Sequence, residues 1–170
     1  YTHAKNERTG YVRLTPMLHI ALFEPEIPPN TGNIMRLCAN TGCTLHLIEP
    51  LGFSLDDKLL RRAGLDYREH AQVQRHANVH ELLARVSPPN CWAIETQGRR
   101  NYTEVQFTAG DLLLFGPETR GLPCAVIEEL GEAQCLRIPM LPDSRSLNLS
   151  NAAALVTYEG LRQLGFPGLG

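Results

Sequence analysis

The sequence predicts an α/β protein, a mainly parallel sheet with helices on both faces. Three observations predict it. Short apolar runs alternate along the chain with segments of helical periodicity. The runs Leu18–Phe23 and Asp111–Phe115 are apolar almost throughout, the pattern of strands buried on both faces. Polar loops rich in Asn, Ser, Gly and Pro follow three of the strand runs, where α/β folds hold ligands.

Taken in order, Leu18 to Phe23 is a buried strand. Glu24 to Asn30 holds three prolines, which remove donors and fix φ, so it is expected to be neither helix nor central strand. Thr31 to Thr41 is a helix with Ile34, Leu37 and Cys38 on one face, and Gly42 stops it. Thr44 to Ile48 is a second strand. Leu59 to Ala63 belongs to a short helix with Asp56 and Asp57 near its start and Arg61 and Arg62 near its end, an order that suits the helix dipole. Gln72 to Arg75 is a short strand, Val79 to Val86 a helix ending before Ser87-Pro88-Pro89, and Cys91 to Ile94 a strand. Gln97 to Thr108 is polar and expected to be irregular. Asp111 to Phe115 is a strand, and Cys124 to Leu130 a helix with Pro123 at its first turn. Cys135 to Ile138 is the last strand and Leu149 to Leu164 the last helix; the Gly-rich tail from Gly165 to Gly170 is expected to fray.

The 170 residues suit a single domain, 43% apolar and 20% charged, with no internal repeat or low-complexity tract. The domain is expected over residues 17–170. Residues 1–16 are polar, lack an apolar signal-peptide core, and read as an N-terminal extension or cloning remnant, so secretion is not expected. A net charge of −2 gives no global signal for nucleic acid, so any such role needs a local patch. Lys58, Arg61, Arg62, Arg68 and Arg75 form one locally basic region, a solvated face or a phosphate-contacting one. The five cysteines are odd in number and lack C-x-x-C spacing, which points to reduced, buried thiols in a cytoplasmic protein. No stretch is apolar and long enough for a membrane span.

The missing motifs narrow the chemistry. No phosphate loop, dinucleotide fingerprint, H-E-x-x-H or G-x-S-x-G elbow is present, and no metal is expected. The six histidines are scattered; His19 and His46 lie in strands, where a structural role is expected. Chemistry therefore falls to three loops, Glu24 to Arg36, Phe115 to Pro123 and Pro139 to Asn151. In a parallel sheet they share one edge and can form one cleft. Their polar residues are Asn30, Asn33, Arg36, Glu118, Thr119, Arg120, Ser144, Arg145, Ser146 and Asn148.

The motifs Asn30-Thr31-Gly32-Asn33-Ile34-Met35-Arg36, Leu114-Phe115-Gly116-Pro117-Glu118-Thr119-Arg120-Gly121-Leu122-Pro123, and Ile138-Pro139-Met140 with Ser144-Arg145-Ser146-Leu147-Asn148-Leu149-Ser150-Asn151 resemble the SPOUT superfamily of RNA methyltransferases, in its 2′-O-methylating branch. Phe23 to Asn30 and Asp57 to Tyr67 look like a narrower group, the tRNA (cytidine/uridine-34)-2′-O-methyltransferases, which modify the wobble nucleotide of leucine tRNAs. The resemblance runs from about Met17 to Gly168.

That resemblance implies a C-terminal deep trefoil knot, S-adenosyl-L-methionine as methyl donor bound in it, a homodimer with sites near the interface, and the anticodon loop of leucine tRNAs as partner. It implies that Ile94, Gly116, Ile138, Ser146 and Leu147 hold the donor. Arg36, Glu118, Ser146 and Asn148 are the implied catalytic set, with Arg36 at the reacting hydroxyl, Glu118 orienting Arg36 or its loop, and Ser146 and Asn148 shaping the site. Asn30, Lys58, Arg61, Arg62 and Arg145 are the candidate RNA contacts. Two other functions share these features: 2′-O-methylation at another tRNA or ribosomal RNA position, and a binding module that kept the fold without turnover.

Overall fold

The computed structural model describes residues 17–56, 58, 60, 62 and 71–170. Its described strands are β1 (Leu18–Phe23), β2 (Thr44–Ile48), β3 (Gln72–His76), β4 (Cys91–Ile94), β5 (Arg100–Asn101), β6 (Asp111–Phe115) and β7 (Cys135–Arg137). They form one seven-stranded sheet in the order β3-β2-β1-β6-β4-β7-β5, and every neighbouring pair is parallel. All five residues of β6 are buried, as a central strand covered on both faces requires.

The described helices are α1 (Pro28–Thr41), α2 (Val79–Val86), α3 (Cys124–Leu130) and α4 (Leu149–Gln163). Helices α1 and α4 pack on each other and on one face of the sheet, burying Ile34, Cys38, Val156 and Leu161 against Ile20 and Leu22. Helices α2 and α3 cover the other face, where Leu82 meets Ala21, Ile48, Leu112 and Leu114. The expected α/β sandwich is therefore what forms.

Several elements differ from the sequence reading. Helix α1 begins at Pro28, because two prolines fit the first turn, where an N–H has no helical partner anyway. Gly42 does end it, at φ 73°, with its N–H donating to the Cys38 carbonyl at 2.9 Å. Strand β3 runs one residue further, to His76, whereas β7 stops one residue short, at Arg137. The segment expected to be irregular contains β5, a two-residue edge strand that pairs with β7. The C-terminal tail is not frayed: Phe166 N–H donates to the Leu161 carbonyl at 2.9 Å, and Leu164 and Leu169 pack against the core. Cys124 is exposed rather than buried. In the predicted helix Leu59 to Ala63, Lys58, Leu60 and Arg62 are helical and Leu60 is buried, while Arg61 and the rest lie outside the described residues.

Strand β7 sits between β4 and β5, beneath the loop that joins them. Glu95 N–H donates to the Leu136 carbonyl and Tyr102 N–H to the Arg137 carbonyl, both at 2.9 Å. The approach is so close that a Cβ on Gly98 would lie 2.6 Å from the Leu136 oxygen and 2.7 Å from the Arg137 nitrogen.

Three histidines cross the α2 side of the sheet as a hydrogen-bonded string. His19 Nδ1 is 2.9 Å from His46 Nε2, and His46 Nδ1 is 2.9 Å from His76 Nε2. The role expected for His19 and His46 is thus the structural one. His46 and His76 are each 1% exposed, and His76 Nδ1 has no partner. Burial lowers the pKa of all three, most of all His46, which falls to about 3 with its two neighbours adding to the effect.

Candidate functional site

The C-terminal ends of β1, β4, β6 and β7 converge on one sheet edge, and the loops leaving them enclose a cavity of about 550 Å³. That volume is within the range of small-molecule sites. The three loops singled out in the sequence do share this cleft. Asn30, Ile94, Gly116, Glu118, Ile138, Ser146, Leu147 and Asn148 all line it.

The loops are joined by one chain of polar contacts. Glu118 accepts hydrogen bonds from Glu26 N–H at 2.8 Å, Ile27 N–H at 3.0 Å and Asn30 Nδ2 at 3.3 Å. Its carboxylate thus satisfies donors ahead of the two prolines of α1, where no helical partner exists. Asn30 Oδ1 in turn accepts from Asn148 Nδ2 at 3.0 Å. Asn148 Oδ1 caps α4, accepting from Ser150 N–H at 2.9 Å and Asn151 N–H at 3.3 Å. The Glu118 carboxylate therefore ties the second loop to the first. Two further clamps tie the first and second loops: Arg120 pairs with Glu24 at 2.8 Å, and Thr119 Oγ1 donates to Glu26 at 2.7 Å. The hydrogen bond to Glu24 raises the Arg120 pKa further above its ordinary value.

The second loop folds tightly on itself. A Cβ on Gly116 would lie 2.9 Å from the Gly121 Cα, so only glycine fits. Gly121 adopts φ +71° and donates its N–H to the Pro117 carbonyl at 3.1 Å. Behind it stands Glu95, whose Oε1 accepts the Leu122 N–H at 2.5 Å. Burial raises the Glu95 pKa and the Leu122 N–H opposes that shift.

Other predicted residues lie elsewhere. Arg36 is on the exposed side of α1 and is not among the cavity-lining residues. Lys58, Arg62 and Arg145 are exposed and do not line it either, and Arg61 is outside the described residues. The sequence reading missed Glu95 and Glu26. Glu95 directly follows the last residue of β4, the same position that Gly116 holds after β6, so strand-end placement was the available signal.

Chemically, the site offers apolar walls from Ile94, Phe115, Ile138 and Leu149 beside polar loop backbone and two carboxylates. This suits a neutral heteroaromatic ring joined to a polar group, and so fits an adenosine-containing methyl donor. Among the described residues no group of three or more His, Cys, Asp or Glu stands close enough together to hold a metal ion, and no helix is long and apolar enough to cross a membrane.

Comparison with known proteins agrees with this geometry. The tRNA (cytidine(34)-2′-O)-methyltransferase of Saccharophagus degradans is 60% identical over 152 residues, covering 89% of this chain and 99% of that protein. A solved structure giving structural insights into the 2-OH methylation of C/U34 on tRNA superimposes with a TM-score of 0.81 at 43% identity, covering 89% of this chain and 98% of the other. The SpoU methyltransferase AviRb from Streptomyces viridochromogenes, in complex with the cofactor AdoMet, superimposes with a TM-score of 0.77 at 26% identity, covering 88% of this chain and 61% of the other. Residues 17–158, which carry all three loops and the cavity they enclose, match the SpoU rRNA methylase family, and the chain belongs to that family of methyltransferases.

Proposed function

We propose that this chain is a tRNA (cytidine/uridine-34)-2′-O-methyltransferase that uses S-adenosyl-L-methionine and acts on the wobble nucleotide of leucine tRNAs in the cytoplasm. The observation that carries this reading is the meeting of three separate loop motifs around one nucleoside-sized cavity, locked together through Glu118, Asn30 and Asn148. The identity to the S. degradans enzyme supports position 34 over other RNA sites.

In this reading Ile94 and Ile138 form the apolar slot for the adenine, Gly116 lets the backbone approach the ligand, and Ser146 and Leu147 close over it. Bound there, the donor supplies an electrophilic methyl group. The chain must place a ribose 2′-hydroxyl in line with that methyl group and stabilise the oxygen as negative charge develops. Arg36 does the second task. A guanidinium stays protonated at neutral pH, so it serves as an electrostatic stabiliser, and a substrate phosphate takes the proton. Ser146 and Asn148 shape the site by hydrogen bonding. Asn30, Lys58, Arg61, Arg62 and Arg145 contact the RNA, and no metal takes part.

The reading also includes a homodimer with each site beside the interface. Its support is apolar surface left open on α4 and at the cavity rim: Leu155 is 45% exposed, Tyr158 46%, Leu147 40% and Leu141 81%. The passage of β7 beneath the loop between β4 and β5 is read as part of the SPOUT trefoil knot.

The test is transfer from labelled S-adenosylmethionine to tRNA from cells lacking this gene, with mass-spectrometric mapping. A 2′-O-methyl group at position 34 of leucine tRNAs is expected. A methyl group at another nucleotide would refute the substrate, and donor binding without transfer would favour a binding module. Arg36→Ala should lower turnover by at least about a hundredfold, the scale for losing one transition-state donor, with donor affinity nearly unchanged. Wild-type turnover in that variant would remove Arg36 from the mechanism.

A further inference from the structure

Glu95 is anchored at both ends of the residue. Its N–H donates to the Leu136 carbonyl at 2.9 Å, and its own carbonyl accepts the Gly98 N–H at 3.2 Å. Its side chain is held by the Leu122 N–H at 2.5 Å. These contacts set the carboxylate on the cavity wall in one orientation, between the second loop and the end of β4. Gly121 makes room for it: a Cβ there would lie 2.9 Å from Glu95 Oε2.

The carboxylate has acceptor capacity left over. An ionised carboxyl group offers about four lone-pair sites. Glu118, on the same cavity, receives three N–H groups. Glu95 receives one from the protein. A half-buried carboxylate with a single donor is costly, which is why burial raises its pKa. A ligand that brings donors removes that cost.

The donor chemistry can be narrowed. A sulfonium carries no hydrogen to donate, the α-ammonium lies at the opposite end of the donor from the adenine, and the adenine edge belongs in the apolar slot at Ile94 and Ile138, immediately beside Glu95. The group one bond from an adenine is its ribose, whose two vicinal hydroxyls are donors spaced for one carboxylate. Acidic side chains at strand ends hold ribose hydroxyls in dinucleotide folds for the same reason.

We infer that Glu95 is a ligand-contacting residue of this cavity, its carboxylate accepting hydrogen bonds from the ribose hydroxyls of the methyl donor while its other lone pairs hold the Leu122 N–H. This rests on the donor assignment above. It also joins ligand binding to loop order, since one carboxylate holds both the sugar and the loop that closes at Gly121.

Isothermal titration with S-adenosylhomocysteine and its 2′,3′-dideoxy analogue tests it. Wild-type protein should bind S-adenosylhomocysteine at least about tenfold more tightly than the analogue, the scale of a hydrogen bond to a charged group. Glu95→Gln should lose about tenfold for S-adenosylhomocysteine and less than about twofold for the analogue. Equal affinity of the wild type for both ligands refutes the ribose contact while leaving the cavity a donor site, and needs no folded variant. Equal losses for both ligands in Glu95→Gln reduce Glu95 to loop support. Failure of the wild type to bind either ligand overturns the donor site itself.

Discussion

Acid should destabilise this protein through its histidine string, by an amount set mainly by His46. His46 lies buried between His19 and His76 and has a pKa lowered to about 3, by burial first and then by its two neighbours. In the unfolded chain a histidine titrates at the ordinary value of 6.5. The unfolded chain therefore binds a proton that the folded chain refuses, and stability falls as pH drops below 6.5. Between about pH 7.5 and about pH 5, linkage at His46 alone removes about 2 kcal/mol, and the loss is about 4 kcal/mol by about pH 3. His19 and His76, whose pKa values burial also lowers, act in the same direction; at His76, Glu81 opposes the shift and Arg85 adds to it. Urea unfolding across this range, followed by circular dichroism, reads the effect. In His46→Gln the pH-dependent part should shrink by about 2 kcal/mol, which separates it from carboxylate titration elsewhere. Stability that stays flat from about pH 7.5 to about pH 5, or an unchanged slope in His46→Gln, would refute the argument.

Three further outcomes are expected. Gly98→Ala should destabilise the fold by about 3 kcal/mol, because its Cβ would press on the Leu136 carbonyl, which is main chain and cannot swing aside; a urea midpoint within error of the wild type would mean that β7 and the loop separate easily. Glu118→Gln turns an acceptor of three N–H groups into a group that must present its own NH₂ to one of them, at a cost of about 2 kcal/mol; it should also weaken S-adenosylhomocysteine binding, and unchanged stability and affinity would show that the three loops are held in some other way. Removing the charges of Lys58, Arg62 and Arg145 together should weaken tRNA binding and flatten its salt dependence, with the slope of log affinity against log salt falling by about two to three; an unchanged slope would place the RNA elsewhere.

Much of this protein is written locally. The run Leu112–Leu114 is apolar enough to demand a buried strand, Gly42 ends a helix by taking φ 73°, and Asn148 caps α4 through groups two and three residues away. Such features depend on neighbours within one turn, so periodicity and capping rules reach them. The proline start of α1 was legible by the same rules but was masked by three prolines that also suit a loop. Strand β5 was not legible, since two residues carry no period and only β7 makes them a strand. The cleft itself followed from alternation, because parallel strands put their C-terminal loops on one edge.

What tertiary structure decided is which distant residues meet. Asn30 reaches Glu118 and Asn148 across separations of 88 and 118 residues. The histidine string depends on the registers His46↔Gln74 and Ile48↔His76, which follow from crossovers and face packing. Glu95 is a lone charge after a strand in the sequence, and only the fold brings β7 and Leu122 around it. Arg36 sits on the exposed side of α1, the polar side that the helix pattern itself marks out; only its place outside the cavity lining is a matter of tertiary packing. Local sequence selects φ, ψ and the buried face; the order of strands, and hence the contents of the cavity, is settled only when those faces compete for one core.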